Sequence, residues 1–177
     1  MSGGAQANIA GAQWEDRVAE VIARHTGASL LPRESKSLCE LWENSPHRTA
    51  KVERQIRLRS NRRWEIIATH PAAWPYGLLV ECKYQKVSGT TKEKAFYQYI
   101  QSTFWEYPKQ TRILMVLGGP YFEKGSAGNK LLAELHKAST KMIEAPRMEV
   151  IIGERDLKDY INSAMAAARS STSLRTR

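Results

Sequence analysis

Residues 78–85, with the sequence Leu-Leu-Val-Glu-Cys-Lys-Tyr-Gln, constrain the fold of this chain more than any other stretch. They predict an apolar strand that ends in a charged pair. Since alternate residues of a strand point to one face, Glu81 and Lys83 project side by side. Phosphodiester hydrolysis uses such a pair, with a carboxylate to hold a divalent cation and a positive group near the attacking water and the phosphate. A solvated charge pair on an edge strand is the alternative, and the strand alone does not exclude it.

The charge balance favours a polyanionic partner. The chain of 177 residues holds 27 Lys and Arg against 18 acidic residues, a formal charge of +9 with a pI near 9.7. Nucleic acid is the first candidate partner and an anionic membrane surface is the second. The surplus is clustered, since seven basic residues lie between positions 48 and 63 and a second group surrounds Lys83. A basic surface that is simply solvated is the alternative interpretation.

Length and composition limit the class of protein. The length predicts one domain, which we expect over residues 1–168, followed by a loose Ser/Thr/Arg-rich tail over residues 169–177. No apolar run approaches the length of a membrane span, and the first residues lack the pattern of a signal peptide. Cys39 and Cys82 form neither a metal-binding spacing nor a disulfide framework. These features predict a cytoplasmic protein in a reducing setting.

Hydrophobic periodicity predicts a mixed sheet between helices. Period-two patterns predict strands over residues 51–59 and 62–69, joined by a turn at Ser60 and Asn61, and over 78–84 after a loop with Pro and Gly at 71–77. A continuous apolar run predicts a buried strand over 112–117, and another strand is expected over 148–152. Helical spacing predicts helices over 10–25, 37–43, 91–107, 127–142 and 156–168. We expect a capping box between Thr90 and Glu93. Consecutive strands favour antiparallel pairing, and a helical crossover favours a parallel partner for 112–117.

This order of elements, with an acidic residue on the second strand and Glu-x-Lys on the third, resembles the αβββαβ core of the PD-(D/E)XK, or restriction-endonuclease-like, nuclease superfamily. The resemblance covers about residues 11–118 and implies an α/β fold with a C-terminal αβα extension. Glu81-Cys82-Lys83 matches the (D/E)XK element. The upstream acidic position falls on Glu65, where Asp is usual. Glu15, after Gly11 on the first helix, is similar to an additional acidic ligand of resolvase-like and exonuclease-like branches.

The resemblance implies catalysis that depends on Mg²⁺, for which Mn²⁺ can substitute. Glu65 and Glu81 would hold the cation together with the backbone carbonyl of Cys82, and Glu15 would be a third or outer-sphere ligand. Lys83 would position or deprotonate the attacking water, or neutralise the phosphate in the transition state.

Two glutamines and a tryptophan near the motif are also interpreted. Gln85, on the same face as Lys83, would hydrogen-bond the scissile phosphate or orient the lysine. Gln98 is interpreted as an exposed helix position. Trp74 packs on the core or stacks on a base.

The basic side chains near the motif are expected to contact the DNA backbone, which would make binding dependent on salt. They are Arg54, Arg57, Arg59, Arg62, Arg63, Lys86, Lys92 and Lys94. The hypothesis is a Mg²⁺-dependent DNA endonuclease, of a compact restriction type, that acts as a homodimer. A Holliday-junction-resolvase-like, homing-type or exonuclease member of the superfamily is an alternative, as is a non-catalytic DNA-binding or scaffold protein on a degenerate nuclease fold. No membrane partner is expected.

Overall fold

A mixed β-sheet with helices on both faces makes up the part of the chain that the computed structural model describes, residues 3–33, 46–57, 63–87 and 89–173. Six strands of these residues pair in chain order. The helices are α1 (Gly3–Thr26), α2 (Thr91–Gln101), α3 (Pro120–Glu123), α4 (Ala127–Ser139) and α5 (Gly153–Ser173). The strands are β1 (Ser29–Leu30), β2 (Lys51–Arg57), β3 (Arg63–His70), β4 (Trp74–Tyr84), β5 (Arg112–Gly118) and β6 (Met148–Ile152).

The strand directions confirm the predicted mixed sheet. β2, β3 and β4 pair antiparallel, as expected for strands joined by short connections. β5 runs parallel to β4 after the α2 crossover, and β6 runs parallel to β5. The short β1 adds a parallel partner to β2. The sheet therefore contains the αβββαβ order with an αβα extension, as the resemblance implied.

Two hydrophobic cores lie on opposite faces of the sheet. On one face α1 and α5 cover alternate residues of the central strands, and Ile22, Val80 and Leu157 are fully buried there. On the other face α2 and α4 cover the intervening residues, with Leu79 and Leu131 fully buried. β5 is buried on both faces, which explains its continuous apolar sequence.

Several predicted boundaries of helices and strands were wrong. The residues 71–77 were predicted as a loop, but β4 begins at Trp74 and includes Pro75 and Gly77. A register shift between Ala68 and His70 lies opposite this start, and proline is tolerated at such irregularities. Trp74 packs in the core, nearly parallel to the ring of Tyr160 with centroids 6.5 Å apart.

The termini of the helices also differ from the predictions. α1 begins seven residues earlier than expected, α4 ends at Ser139, and α5 extends to Ser173, so residues 169–173 are helical rather than a loose tail. The predicted helix over 37–43 and the turn at Ser60 and Asn61 lie outside the described residues. The short helix α3 and strand β1 were not predicted.

The helix after the Glu-x-Lys motif was predicted too long and with the wrong cap. Thr90 precedes α2, but its side chain makes no capping hydrogen bond. α2 ends at Gln101 and a 3₁₀ turn follows over Ser102–Phe104. Phe104 is 77% exposed, so the apolar stripe predicted through this position ends earlier.

Candidate active site

The candidate site lies where β3 and β4 cease to pair, and we call this point, at Glu65 and Glu81, the fork. The paired positions of these strands run to Ile66 opposite Val80, and the next residue on each strand is Glu65 or Glu81. The carboxylate of Glu65 accepts a hydrogen bond from the backbone N–H of Cys82. If β3 and β4 continued to pair, a backbone N–H such as that of Cys82 would donate to the neighbouring strand. Here it donates to the side chain of Glu65, which places Glu65 against the Glu-x-Lys motif.

Lys83 and Glu81 form a close pair in this fork. Lys83 Nζ donates to Glu81 Oε1 at 2.5 Å and lies 3.5 Å from the carbonyl oxygen of Cys82. Alternation places both side chains on the α2 face of β4, as the sequence predicted. The Glu81 side chain is 7% exposed and that of Lys83 15% exposed, so the pair is largely shielded from solvent.

The fork carries an excess of negative charge. Burial, and next the charge of Glu81, raise the pKa of Glu65 to about 7, although Lys83 and the Cys82 N–H act in the opposite direction. Glu15 contributes to the same increase. Burial and these three carboxylates also raise the pKa of the Cys82 thiol well above its ordinary value. Among the described residues, the basic side chains that contact these three carboxylates are Lys83, beside Glu81, and Arg33, beside Glu15.

Glu15 is brought to this region by the docking of α1. Its neighbour Trp14 donates its indole N–H to the carbonyl of Val116 at 3.3 Å. The ring of Trp14 lies over Gly118, where an added Cβ would come within 2.2 Å of it. Only glycine leaves room for this contact, and the contact fixes the helix turn that carries Glu15 above the end of the sheet.

The carboxylate of Glu15 is buried, and among the described residues only one of its two oxygens accepts a hydrogen bond. Its Oε2 accepts from Gln55 Nε2 at 2.6 Å and lies 3.3 Å from Arg33. Its Oε1 is buried without a hydrogen-bond partner among the described residues. A buried oxygen of this kind is a ready acceptor for a cation or for a water bound to one.

A comparison with models of known families matches most of the chain. The model of the PD-(D/E)XK nuclease superfamily domain matches residues 6–165. The chain belongs to the PD-(D/E)XK nuclease superfamily. The match runs from α1 into α5, well beyond the region 11–118 on which the resemblance rested. Neither the comparison with curated proteins nor that with solved structures gave a match.

Membership of this nuclease superfamily makes nucleic acid the substrate class and a divalent metal the expected cofactor class. The donor atoms at the fork fit a hard cation, because the carboxylates of Glu65 and Glu81 and the carbonyl of Cys82 are all oxygen ligands. Within the described residues, no three acidic, histidine or cysteine side chains are grouped closely enough to form a complete metal centre. Mg²⁺ commonly takes one or two carboxylates and completes its coordination with water and substrate phosphate, so two suffice.

Gln98 is a site residue that the sequence interpretation missed. It was interpreted as an exposed helix position, but its Nε2 donates to Glu81 Oε1 at 2.8 Å, the same oxygen that Lys83 binds. Its own Oε1 is buried without a partner in the described part of the chain. The signal was present, because Gln98 lies three residues after the buried Ala95 and so shares the inward side of α2.

Gln85 is placed at the end of the motif strand. Its backbone N–H donates to the Gly118 carbonyl at 2.9 Å. Its side-chain Nε2 donates to the Val87 carbonyl at 2.6 Å, while its buried Oε1 has no partner among the described residues. Gly119, at φ 96°, packs against the Gln85 carbonyl, where an added Cβ would lie 2.5 Å from the oxygen. The side chain thus bonds to its own loop in this structure.

The structure divides the basic residues that were expected to contact DNA. Arg54 faces α1, where it donates to Asp16 at 2.5 Å and to the Leu31 carbonyl, and its side chain is 15% exposed, so its place in the fold does not support contact with DNA. Lys92 pairs with Glu134 at 2.8 Å. The exposed members are Arg63, Lys86 and Lys94. Arg59, Arg62 and the side chain of Arg57 lie outside the described residues.

A search of the described residues found no helix with the length and apolar character needed to cross a membrane.

Proposed function

We propose that this PD-(D/E)XK protein is a Mg²⁺-dependent DNA endonuclease, with residues 1–168 as one nuclease domain. The observation that carries the proposal is the meeting of Glu65, Glu81 and Lys83 at the fork between β3 and β4. A nuclease fold that had lost its activity would have no need to keep two carboxylates and a lysine in one partly buried cluster, where the charge imbalance costs stability.

The protein groups at the fork have separable roles in this proposal. When held by Glu65, Glu81 and the Cys82 carbonyl, a Mg²⁺ ion supplies Lewis-acid stabilisation of the phosphate and lowers the pKa of a bound water. Lys83 orients the attacking water and balances the negative charge that grows on the phosphate oxygens. Gln98 fixes the orientation of Glu81 through its hydrogen bond of 2.8 Å.

The exposed bases near the fork support a phosphate-binding surface. Lys86 lies two residues after the end of β4, Lys94 lies one turn before Gln98 on α2, and Arg63 is the first residue of β3. They are suited to hold the backbone of a duplex as it enters the fork.

Cleavage of both strands by one small site favours a two-fold dimer, so we propose a homodimer of the restriction type. The low cysteine content fits a reducing, cytoplasmic setting.

Glu15 favours a second candidate within the same superfamily. Its charge acts on Glu65 and its Oε1 has no partner among the described residues, and both observations support a role for Glu15 as an additional acidic group. Resolvase-like and exonuclease-like members resemble this chain in having an acidic residue there. A structure-selective nuclease is therefore the second proposal.

A cleavage assay on matched substrates tests the function. Supercoiled plasmid, linear plasmid, a synthetic four-way junction and an RNA duplex are incubated with Mg²⁺, with Mn²⁺ or with chelator. We expect nicking or linearisation of plasmid with either metal and none with chelator. Cleavage confined to the junction favours the second candidate, and shortening from linear ends indicates an exonuclease.

Lys83→Ala and Lys158→Ala form a matched pair of variants for this assay. Each removes a lysine bonded to a glutamate, at 2.5 Å in the fork and at 2.6 Å on α5. We expect Lys83→Ala to lose activity by about 100-fold or more, because it removes charge stabilisation at the phosphate, and Lys158→Ala to cleave normally. Binding of DNA by the wild-type protein without cleavage in any metal would contradict the proposal.

A further inference from the structure

Gln55 has an unusual backbone conformation for a residue in a strand. Its φ is 57°, and among the described residues it is the one non-glycine residue with a positive φ. Side chains other than glycine, asparagine and aspartate occupy this left-handed region rarely, because Cβ approaches the carbonyl oxygen. Such strain persists where surrounding contacts maintain it, and it is concentrated at functional sites.

The left-handed residue changes which face of the sheet β2 presents. Val52 and Arg54 point to the α1 face, so strict alternation would place Ile56 there and Gln55 on the opposite face. Instead Gln55 also points to α1, and Ile56 packs in the core under α2 and α4 beside Trp64. Two successive side chains of β2 therefore reach α1.

The contact that this reversal produces is with Glu15. Gln55 Nε2 donates to Glu15 Oε2 at 2.6 Å, and Arg33 approaches the same oxygen at 3.3 Å. The second oxygen, Oε1, is buried and is left without a partner among the described residues. A carboxylate held at one oxygen by an amide has its other oxygen fixed in direction, which is how outer groups orient metal ligands.

We propose that Gln55 is a positioning residue, whose strained backbone aims its amide at one oxygen of Glu15 so that the other oxygen is presented to the water shell of a divalent cation held by Glu65 and Glu81 at the fork. This inference rests on the proposed function, because it requires a cation beside Glu65 and Glu81.

Three substitutions at position 55 separate the hydrogen bond from the backbone conformation. Gln55→Asn keeps a residue that tolerates the left-handed region but shortens the side chain by one methylene, so the amide no longer reaches Glu15. Gln55→Gly removes both the amide and the strain. Gln55→Glu places a second carboxylate against Glu15. Arg54→Met is the matched control, because it breaks the neighbouring contact of β2 with Asp16 on the same helix and keeps Gln55 and Arg33, the two described groups that contact Glu15.

Binding of Mn²⁺ to the DNA-free protein, measured by calorimetry, is the first readout, and melting in chelator is the second. We expect Gln55→Asn and Gln55→Gly to weaken Mn²⁺ binding by about 10-fold. Gln55→Gly melts at or above the wild-type temperature, whereas Gln55→Glu melts below it in chelator, because it places two carboxylates together. Arg54→Met melts lower but binds Mn²⁺ as the wild type does. Adding Glu15→Gln to Gln55→Asn causes no further loss beyond Glu15→Gln alone, because both act through the carboxylate of Glu15.

The outcomes distinguish this inference from the proposed function. Suppose that the wild type binds Mn²⁺ and cleaves DNA but the position 55 variants bind Mn²⁺ equally well. Gln55 then only stabilises the packing of α1 on β2, and this inference is overturned while the proposed function stands. The same holds if Arg54→Met weakens Mn²⁺ binding as much as Gln55→Asn. If the wild type neither binds Mn²⁺ nor cleaves DNA, both the inference and the proposed function are overturned.

Discussion

Two clusters of acidic and basic side chains in this protein have opposite electrostatics. Where α1 meets α5, Glu154 accepts from Arg17 at 2.7 and 2.9 Å and pairs with Lys158 at 2.6 Å, and these hydrogen bonds lower its pKa to about 2. At the fork, burial and the charge of Glu81 raise the pKa of Glu65 to about 7. A glutamate is thus kept ionised at the contact between α1 and α5, whereas the glutamate at the fork is easier to protonate.

The difference separates a cluster that serves the fold from one that is set up for a ligand. Glu154 has two basic partners and lies at the surface, so its charge is balanced within the chain. Glu65 is close to two more carboxylates and has Lys83 as the basic group that acts on it. A bound cation would relieve this imbalance, which is why perturbed carboxylates in clefts indicate function.

The largest expected effect comes from removing a charge at the fork. Glu81→Gln keeps the shape of the side chain but removes the anion that Lys83 and Gln98 both contact, so we expect cleavage to fall by about 1000-fold. Initial rates on supercoiled plasmid measure this. Glu154→Gln is the same substitution in the balanced cluster and leaves the rate unchanged. A Glu81→Gln protein with a tenth or more of the wild-type rate would remove Glu81 from the mechanism.

Stability in chelator should respond in opposite directions in the two clusters. The pKa of Glu65 rises from 4.5 to about 7 on folding, so the folded protein binds more protons and loses stability as pH rises from 4.5 through 7. Glu65→Gln therefore raises the melting temperature at pH 8 and loses this advantage below pH 4.5. Glu154→Gln lowers the melting temperature at pH 8, because the depressed pKa of Glu154 stabilises the fold above pH 4.5 and this contribution is lost as pH falls from 4.5 towards 2.

Calorimetric scans of the two variants from pH 4 to pH 8 measure these shifts. A lower melting temperature for Glu65→Gln at pH 8 would show that the fork is not short of positive charge.

Metal affinity should depend on pH in the range where Glu65 titrates. Below about pH 7 the cation must displace a proton from Glu65, so we expect Mn²⁺ binding to weaken by about 10-fold for each unit below 7. Titration calorimetry in two buffers with different ionisation enthalpies measures both the affinity and the proton released. Flat affinity between pH 5.5 and 7 would place the cation away from Glu65.

The smallest effect is expected at Arg17, the exposed partner of Glu154 where α1 meets α5. Arg17→Met removes one partner of Glu154 but leaves Lys158 in place, and exposed ion pairs contribute little. We expect the melting temperature to fall by about 3 °C or less, with no change in cleavage rate. A change in cleavage rate would connect the α1–α5 contact to the fork and end the separation of the two clusters.

The fold could largely be predicted from the sequence because its signals are local. Alternation over 51–59 and 62–69 and the apolar run of β5 predicted the mixed sheet. The placement of Glu81 beside Lys83 also followed from strand periodicity. The internal pairing of Arg54 could not be predicted, because Asp16 lies on a helix whose docking depends on Trp14 and Gly118.

The rest of the site depends on contacts between distant parts of the chain. Nothing near Gln55 indicates a left-handed residue, since alternation predicts the opposite face for its side chain. The capping box at Thr90 failed for a related reason, because a sequence match does not ensure that the side chain turns toward the helix. Gln98 could have been found, because helical spacing from Ala95 places it on the inward side of α2.

We propose that Glu65 and Glu81 together hold one divalent cation beside Lys83. Calorimetric titration of the DNA-free protein with Mn²⁺ at pH 8 measures whether they do. We expect one site for each chain, lost in Glu65→Gln and in Glu81→Gln and kept in Lys83→Ala and in Glu154→Gln. Unchanged binding in Glu65→Gln would contradict it, since the two carboxylates would then not share an ion.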